Sequence, residues 1–141
     1  RYSRRGRSGK RGRLFCGGIL EEATVPLIQL DTSCGLPDRS KRQLLAAALS
    51  RLAAEVSGKP EQYVMACVHD NVAMTLGGVS GPCALVTVKA IGGLSPAVNQ
   101  AFAARVSRLL EMELALPQDR IYLTFEELQA THWAWNGRTF G

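Results

Sequence analysis

Four cysteines and two histidines are the side chains of this sequence that could bind a metal ion or form disulfides. No two cysteines have C-x-x-C spacing, and together they follow no regular disulfide pattern. The two histidines are far apart in the chain and lack the short spacing of zinc ligands. We therefore expect reduced thiols and no metal site. The residues concerned are Cys16, Cys34, Cys67, Cys83, His69 and His132.

The net charge of +5 belongs to the first 24 residues. They hold seven of the 17 basic residues against two of the 12 acidic ones, so residues 25–141 are neutral overall. A nucleic-acid surface needs clustered basic residues, and we expect residues 26–141 to bind no nucleic acid. No apolar run approaches the ~18 residues of a membrane span. No signal peptide is visible, which favours a cytoplasmic protein, with secretion by another route left open.

Residues 1–25 predict a disordered basic leader, because they are rich in Arg, Gly and Ser and poor in apolar residues. Three interpretations remain open. The leader could bind nucleic acid or acidic surfaces, it could be part of a transit peptide, or it could be absent from the natural protein. In the third case Val25 would be a GTG start codon, preceded by the purine-rich codons of Glu21 and Glu22. Removal of the initiator Met would then leave Pro26 as the first residue.

The segment that follows predicts a strand, a helix and a second strand. PLIQL, which starts at Pro26, is typical of a short strand. Asp38 suits the N-cap of a helix whose apolar residues recur at helical spacing to about Ser57. Gly58 suits the position after the helix, and Pro60 prevents its continuation. YVMACVHD predicts the second strand.

The same pattern occurs again in the second half of the chain. CALVTVKAIGG predicts a strand with a glycine turn, Ser95 and Pro96 begin a second helix, and RIYLTF predicts a strand. Two βαβ units imply an α+β (α/β) fold, a four-stranded sheet with two helices on one face. MTLGG and the C-terminal WAWNGRTFG each predict one more short strand.

The other face of such a sheet has no cover within the chain, which favours a closed oligomer. The C-terminal segment carries Trp133, Trp135 and Phe140 within a few residues. Large aromatic side chains suit an interface or a pocket wall. They suit the core of the domain equally well, so both interpretations stay open.

Five segments in a fixed order give the chain a family resemblance. They are PLIQ, GKPEQYVM, PCALVTVKAIGG, DRIYLTF and WAWNGRTFG, and they span nearly all of residues 26–141. The chain resembles the macrophage migration inhibitory factor and D-dopachrome tautomerase family, in a bacterial type. The resemblance implies a tautomerase fold of doubled βαβ subunits. It also implies a homotrimer with active sites between subunits, and no cofactor.

The resemblance implies that Pro26 is the catalytic base, because the family uses an N-terminal proline. A free prolyl amine titrates near the α-amino range of roughly 7.7–8.0. An apolar pocket and a nearby cation both disfavour its protonated form and lower its pKa. On sequence alone, Pro26 could simply begin a strand. In the chain as written its nitrogen is an amide to Val25, so catalysis requires a form that begins at Pro26.

Four further residues match substrate-binding positions of the family. Lys59 corresponds to a lysine that pairs with a substrate carboxylate, although a helix-end lysine also complements the helix dipole. Ile91 matches a position whose backbone N–H meets the substrate. Tyr122 matches a tyrosine from the neighbouring subunit, which can donate to a developing enolate. Phe140 matches an aromatic residue that lines the pocket.

Three residues depart from the family pattern. Thr124 stands where the mammalian cytokine has a substrate-binding Asn, so that hydrogen bond is shortened or lost. Trp133 replaces a small aliphatic residue at the pocket mouth and could reshape the site for planar substrates. Cys83 matches the first cysteine of the cytokine's C-x-x-C motif, but Val86 stands where the second cysteine would be. Thiol oxidoreductase activity through that motif is therefore unsupported.

The activity implied is keto–enol tautomerisation of small aromatic α-keto acids such as phenylpyruvate, and of dopachrome-like compounds. The alternative is a non-catalytic, cytokine-like or structural trimer with the same fold. A third class, nucleic-acid binding through the leader, would show strong salt dependence and would be lost with residues 1–24.

Overall fold

The first strand, β1, covers Leu27–Thr32, where every second residue is buried. Ile28, Leu30 and Thr32 point into the core, and the residues between them are half-buried. This alternation is that of a strand with one covered face. The computed structural model describes residues 26–141. The predicted basic leader, residues 1–25, lies outside the described residues, as does Cys16.

Helix α1 covers Arg39–Ser57, with both ends as the sequence predicts. The Asp38 side chain accepts a hydrogen bond from the Lys41 N–H and caps the first turn. Gly58 ends the helix in the left-handed region at φ 72°, and its N–H donates to the Ala54 carbonyl. A short 3₁₀ turn, Glu61–Tyr63, then leads into strand β2, Met65–His69.

The second repeat has the same order. Strand β3 covers Ala84–Ala90, and helix α2 covers Pro96–Leu114. The Ser95 side chain caps α2 by accepting from the Val98 N–H, with Pro96 in the first turn. A 3₁₀ turn, Gln118–Arg120, precedes strand β4, Ile121–Glu127.

The four strands form one sheet in the order β2-β1-β3-β4. β1 is parallel to β2 and antiparallel to β3, and β3 is parallel to β4. Both helices pack on one face, which confirms the predicted arrangement. The core between sheet and helices is built mainly of aliphatic side chains from both repeats, such as Ile28, Leu49, Val86, Phe102 and Leu110.

Two expectations about short strands need correction. MTLGG forms no strand: Leu76 and Val79 make a single two-residue bridge around Gly77 and Gly78, which both have positive φ. This is a tight turn, and no strand of the described part of the chain lies beside it to extend it. The C-terminal segment forms two strands, not one. They are β5, Ala134–Trp135, and β6, Arg138–Thr139, which within residues 26–141 pair only with each other.

The face of the sheet opposite the helices carries mostly polar or half-buried side chains. Two cross-strand contacts lie on it, the His69 Nδ1 with an Asp31 carboxylate oxygen at 3.2 Å and a Lys89–Glu126 ion pair at 4.0 Å. Within residues 26–141 no helix covers this face. Neither helix of that region is both long and apolar enough to cross a membrane.

The cysteines of the described region are free thiols, namely Cys34, Cys67 and Cys83. Across the same residues, no three His, Cys, Asp or Glu side chains come together as metal ligands would.

Candidate active site at the Pro26 recess

Pro26 immediately precedes β1, and its side chain is fully buried. Its carbonyl accepts a hydrogen bond of 3.2 Å from the Met65 N–H at the start of β2. The residue is therefore fixed at the end of the sheet by the same pairing that holds β1 against β2.

A small recess surrounds Pro26 at this end of the sheet. Its lining residues come from the end of α1, the end of β3, the loop after β3, and α2: Pro26, Ser57, Lys59, Ala90, Gly92, Gly93, Leu94 and Phe102. Its volume is about 10 Å³. A space of this size holds one water molecule, whereas ligand pockets usually have roughly 300–1,000 Å³. A single chain thus forms the floor of a site and not a complete pocket.

Lys59 reaches the recess because of the way α1 ends. The left-handed turn at Gly58 reverses the chain, and the Lys59 N–H then donates to the Ser57 hydroxyl at 3.3 Å. Pro60 follows directly and restricts the backbone of Lys59 to extended conformations. Pro26 and Lys59, both picked out by the sequence, are therefore brought together by the fold.

Ile91 lies in the loop between β3 and α2, between the lining residues Ala90 and Gly92. The side chain of Ile91 is half-buried and does not line the recess. Gly92 and Gly93 both have positive φ, 76° and 83°, a backbone conformation that glycine adopts without strain. These two glycines line the recess together with Pro26.

Tyr122 and Thr124 are not brought to the recess of their own chain. Both are exposed on the open face of the sheet, whereas the recess lies on the helix side. Tyr122 pairs with Leu85, five residues along β3 from Ala90. That separation is about 16 Å at the rise of a strand. Tyr122 therefore cannot act on a substrate at Pro26 of the same chain.

Trp133 and Phe140 meet each other near the C-terminus. The Phe140 N–H donates to the Trp133 carbonyl at 2.9 Å, and both side chains are half-buried. Neither lines the recess. Several lining residues, among them Ser57 and Phe102, were not picked out as site residues from the sequence. A serine at a helix end and an apolar residue within a helix give no sign of a site.

The sequence-family comparison decides the identity. The family model for macrophage migration inhibitory factor (MIF) matches residues 25–141. This chain belongs to the MIF family. The predicted membership, made from five segments, is confirmed.

Relatives within the family match over nearly their whole length. The MIF homologue of Brugia malayi is 37% identical over 117 residues, which are 83% of this chain and 100% of the relative. The MIF of Meriones unguiculatus is 33% identical over 116 residues, 82% of this chain and 99% of the relative.

Solved structures show the same fold. A MIF homologue from Prochlorococcus marinus has 40% identity and a TM-score of 0.75, covering 82% of this chain and 99% of that one. The MIF of Toxoplasma gondii has 31% identity and a TM-score of 0.75, covering 81% and 99%. The chain is thus a MIF/tautomerase-type protein with the MIF fold, and its relatives include a bacterial one.

Proposed function

We propose that the protein is a cofactor-free keto–enol tautomerase acting on small aromatic α-keto acids such as phenylpyruvate, and on dopachrome-like compounds. The observation that carries the proposal is the meeting of Pro26 and Lys59 in one recess. A base and a cation side by side are what an anionic keto acid requires.

The reaction is a proton transfer within the substrate. The Pro26 nitrogen takes a proton from the carbon next to the carbonyl, and the electron pair of that C–H bond forms the C=C bond. The carbonyl oxygen becomes an enolate and receives a proton to give the enol; the reverse path gives the ketone. Lys59 pairs with the substrate carboxylate, and the Ile91 N–H binds the carboxylate or the enolate.

The environment of Pro26 suits this role once its nitrogen is free. The side chain is fully buried, and Lys59 lies in the same recess. Burial and a neighbouring cation both disfavour a protonated amine, so we expect a lowered pKa for the free Pro26 nitrogen. The proline ring also restricts where the lone pair points.

The complete site requires a neighbouring subunit, and we propose a homotrimer. Tyr122, 63% exposed in a single chain, lies too far from its own Pro26, and the recess of one chain is too small for a substrate. In the assembly, Tyr122 and Thr124 of one subunit would face Pro26 of the next, and Trp133 and Phe140 would shape the pocket. The open sheet face supports an assembly of this kind.

The decisive experiment compares enol loss for a chain that starts at Pro26, its Pro26→Gly variant, and the 141-residue chain. The relatives consist almost wholly of the matching region, so the shorter chain is expected to fold. We expect the 141-residue chain, in which this nitrogen is an amide, to lose about 10²-fold or more in turnover. The Gly variant keeps a free α-amino group but lacks the secondary amine and its fixed ring, so we expect it to be slower than the Pro26 form. Equal rates for Pro26 and Gly would refute the role of Pro26.

A second candidate is a non-catalytic, cytokine-like trimer. It is favoured by the amide bond between Val25 and Pro26 in the chain as written, which leaves the nitrogen without a lone pair for catalysis. A chain whose Pro26 is chemically blocked tests this candidate. If it keeps its full biological effect, that effect does not depend on tautomerase activity, and the non-catalytic candidate is supported.

A further inference from the structure

The loop of residues 91–94 forms one wall of the Pro26 recess, through Gly92, Gly93 and Leu94. Two consecutive glycines give this loop more conformational freedom than any other pair of residues would. An added Cβ at Gly92 would meet nothing within 4 Å, so close packing does not fix the turn there. Its shape then depends on the packing of Leu94 against the core and on hydrogen bonds at its ends.

Glu127 makes the first of these hydrogen bonds. The Leu94 N–H donates to its Oε2 at 2.9 Å. Glu127 is the last residue of β4 and pairs with Ala90, and the Leu128 N–H donates to the Ala90 carbonyl at 2.8 Å. The carboxylate is therefore anchored to the sheet where the loop leaves it. A hydrogen bond to a charged acceptor is stronger than a neutral one.

Asn99 makes the second hydrogen bond, from the first turns of α2. Its Nδ2 donates to the Leu94 carbonyl at 3.4 Å. Its Oδ1 is buried and has no hydrogen-bond partner among the described residues. A buried acceptor without a hydrogen-bond partner lowers the stability of the fold. Rotating the Asn99 amide by about 180° would be no better, because it would place Oδ1 next to the Leu94 carbonyl, which is also an acceptor. The contact with Leu94 thus determines how this side chain lies.

We propose that Glu127 and Asn99 are positioning residues that hold Leu94 from both sides and so fix the 91–94 loop over Pro26. Neither side chain lines the recess, so each acts through the loop. The effect on turnover rests on the proposed function, whereas the effect on the loop itself does not.

The first test measures the loop directly, by hydrogen exchange of backbone amides in the chain that starts at Pro26. In Glu127→Ala the Leu94 N–H loses its acceptor, and we expect its exchange to rise about 10-fold. Glu127→Gln keeps an acceptor oxygen and should protect this amide. Unchanged exchange in Glu127→Ala would overturn the proposal whatever the enzyme assay gives.

The second test measures turnover of an α-keto acid. A displaced loop should lower kcat/KM about 10- to 100-fold in Glu127→Ala, with Glu127→Gln close to the parent chain. The pH midpoint of kcat in Glu127→Gln should match that of the parent chain, because this variant keeps the loop that borders Pro26 in place. If Glu127→Gln were as impaired as Glu127→Ala, or if its midpoint moved, charge and not positioning would explain the loss.

Glu126→Ala is the matched control. Glu126 precedes Glu127 in the same strand and is also exposed, but its carboxylate pairs with Lys89 at 4.0 Å on the open face. Because Glu126 lies on the face where a neighbouring subunit is proposed, the comparison uses Leu94 protection alone, and we expect this variant to keep it. A loss of protection equal to that of Glu127→Ala would refute a specific role for Glu127.

A double variant tests whether Asn99 acts through the same loop. Residues that share one partner are not additive, so Asn99→Ala combined with Glu127→Ala should lose less than the product of the two single losses. Independent, fully multiplicative losses would refute the shared role. If the parent chain itself has no turnover while Leu94 protection changes as expected, the proposed function fails and the positioning of the loop stands.

Discussion

Phe102 joins the core of the protein to its candidate site, and its truncation gives the most informative stability prediction. The side chain is 0% exposed, lines the Pro26 recess, and packs on Phe125 with ring centroids 6.1 Å apart at a tilt of 48°. Removing a fully buried Phe ring costs about 3–5 kcal/mol. A tilted aromatic pair contributes about 0.5–1.5 kcal/mol of such a loss.

Urea unfolding at equal protein concentration measures this loss, since the stability of the proposed trimer would depend on concentration. With a slope of about 2 kcal/mol/M, Phe102→Ala should lower the midpoint by roughly 2 M. The variants Phe102→Leu and Phe125→Leu, alone and combined, isolate the ring contact. Their coupling should be about 0.5–1.5 kcal/mol.

Two results would refute this reasoning. A loss below 1 kcal/mol in Phe102→Ala would mean that the ring is not part of a close-packed core. Zero coupling between Phe102→Leu and Phe125→Leu, with each single variant destabilised, would mean that the two rings do not stabilise each other.

Three further predictions concern the loops and the site. The Arg120 guanidinium donates to three backbone carbonyls, and one ammonium cannot replace it. The free energy of unfolding in urea should therefore fall by about 1–3 kcal/mol in Arg120→Lys. An unchanged urea midpoint would contradict this prediction. Gly58→Ala should lose about 1–2 kcal/mol at φ 72°, and Gly58→Asn should lose less; equal losses would show that backbone strain is not the cause. Lys59→Ala should raise KM for a keto acid about 10-fold or more but leave the KM of its methyl ester unchanged; equal changes in the two KM values would exclude a carboxylate contact. The carbonyls bound by Arg120 are those of Pro82 at 3.1 Å, Leu76 at 3.2 Å and Val79 at 3.0 Å.

Local sequence signals predicted most of the fold correctly. The cap residues Asp38, Gly58 and Ser95 stand at the ends of the helices because their contacts reach only three or four residues along the chain. The strands followed from alternating or continuous apolar residues. The repeat of strand, helix and strand then limited the sheet to very few arrangements.

The errors arose where a short segment depends on distant partners. MTLGG was predicted to form a short strand from its composition. No strand of the described chain lies beside it, so Gly77 and Gly78 form only a tight turn. In the C-terminal segment, Asn136 and Gly137 form a left-handed turn that folds the expected single strand into a hairpin.

The sequence by itself determined the helices, the four main strands and the family, and it predicted Pro26 and Lys59 as site residues. Only the tertiary structure shows that these two residues meet in a recess that Phe102 also lines. It also shows that Tyr122 lies on the open face of the sheet, opposite the helices. The physical reason is the range of the interactions. Caps and strand patterns depend on near neighbours in the chain, whereas the recess is assembled by strand pairing and helix packing between residues far apart in sequence.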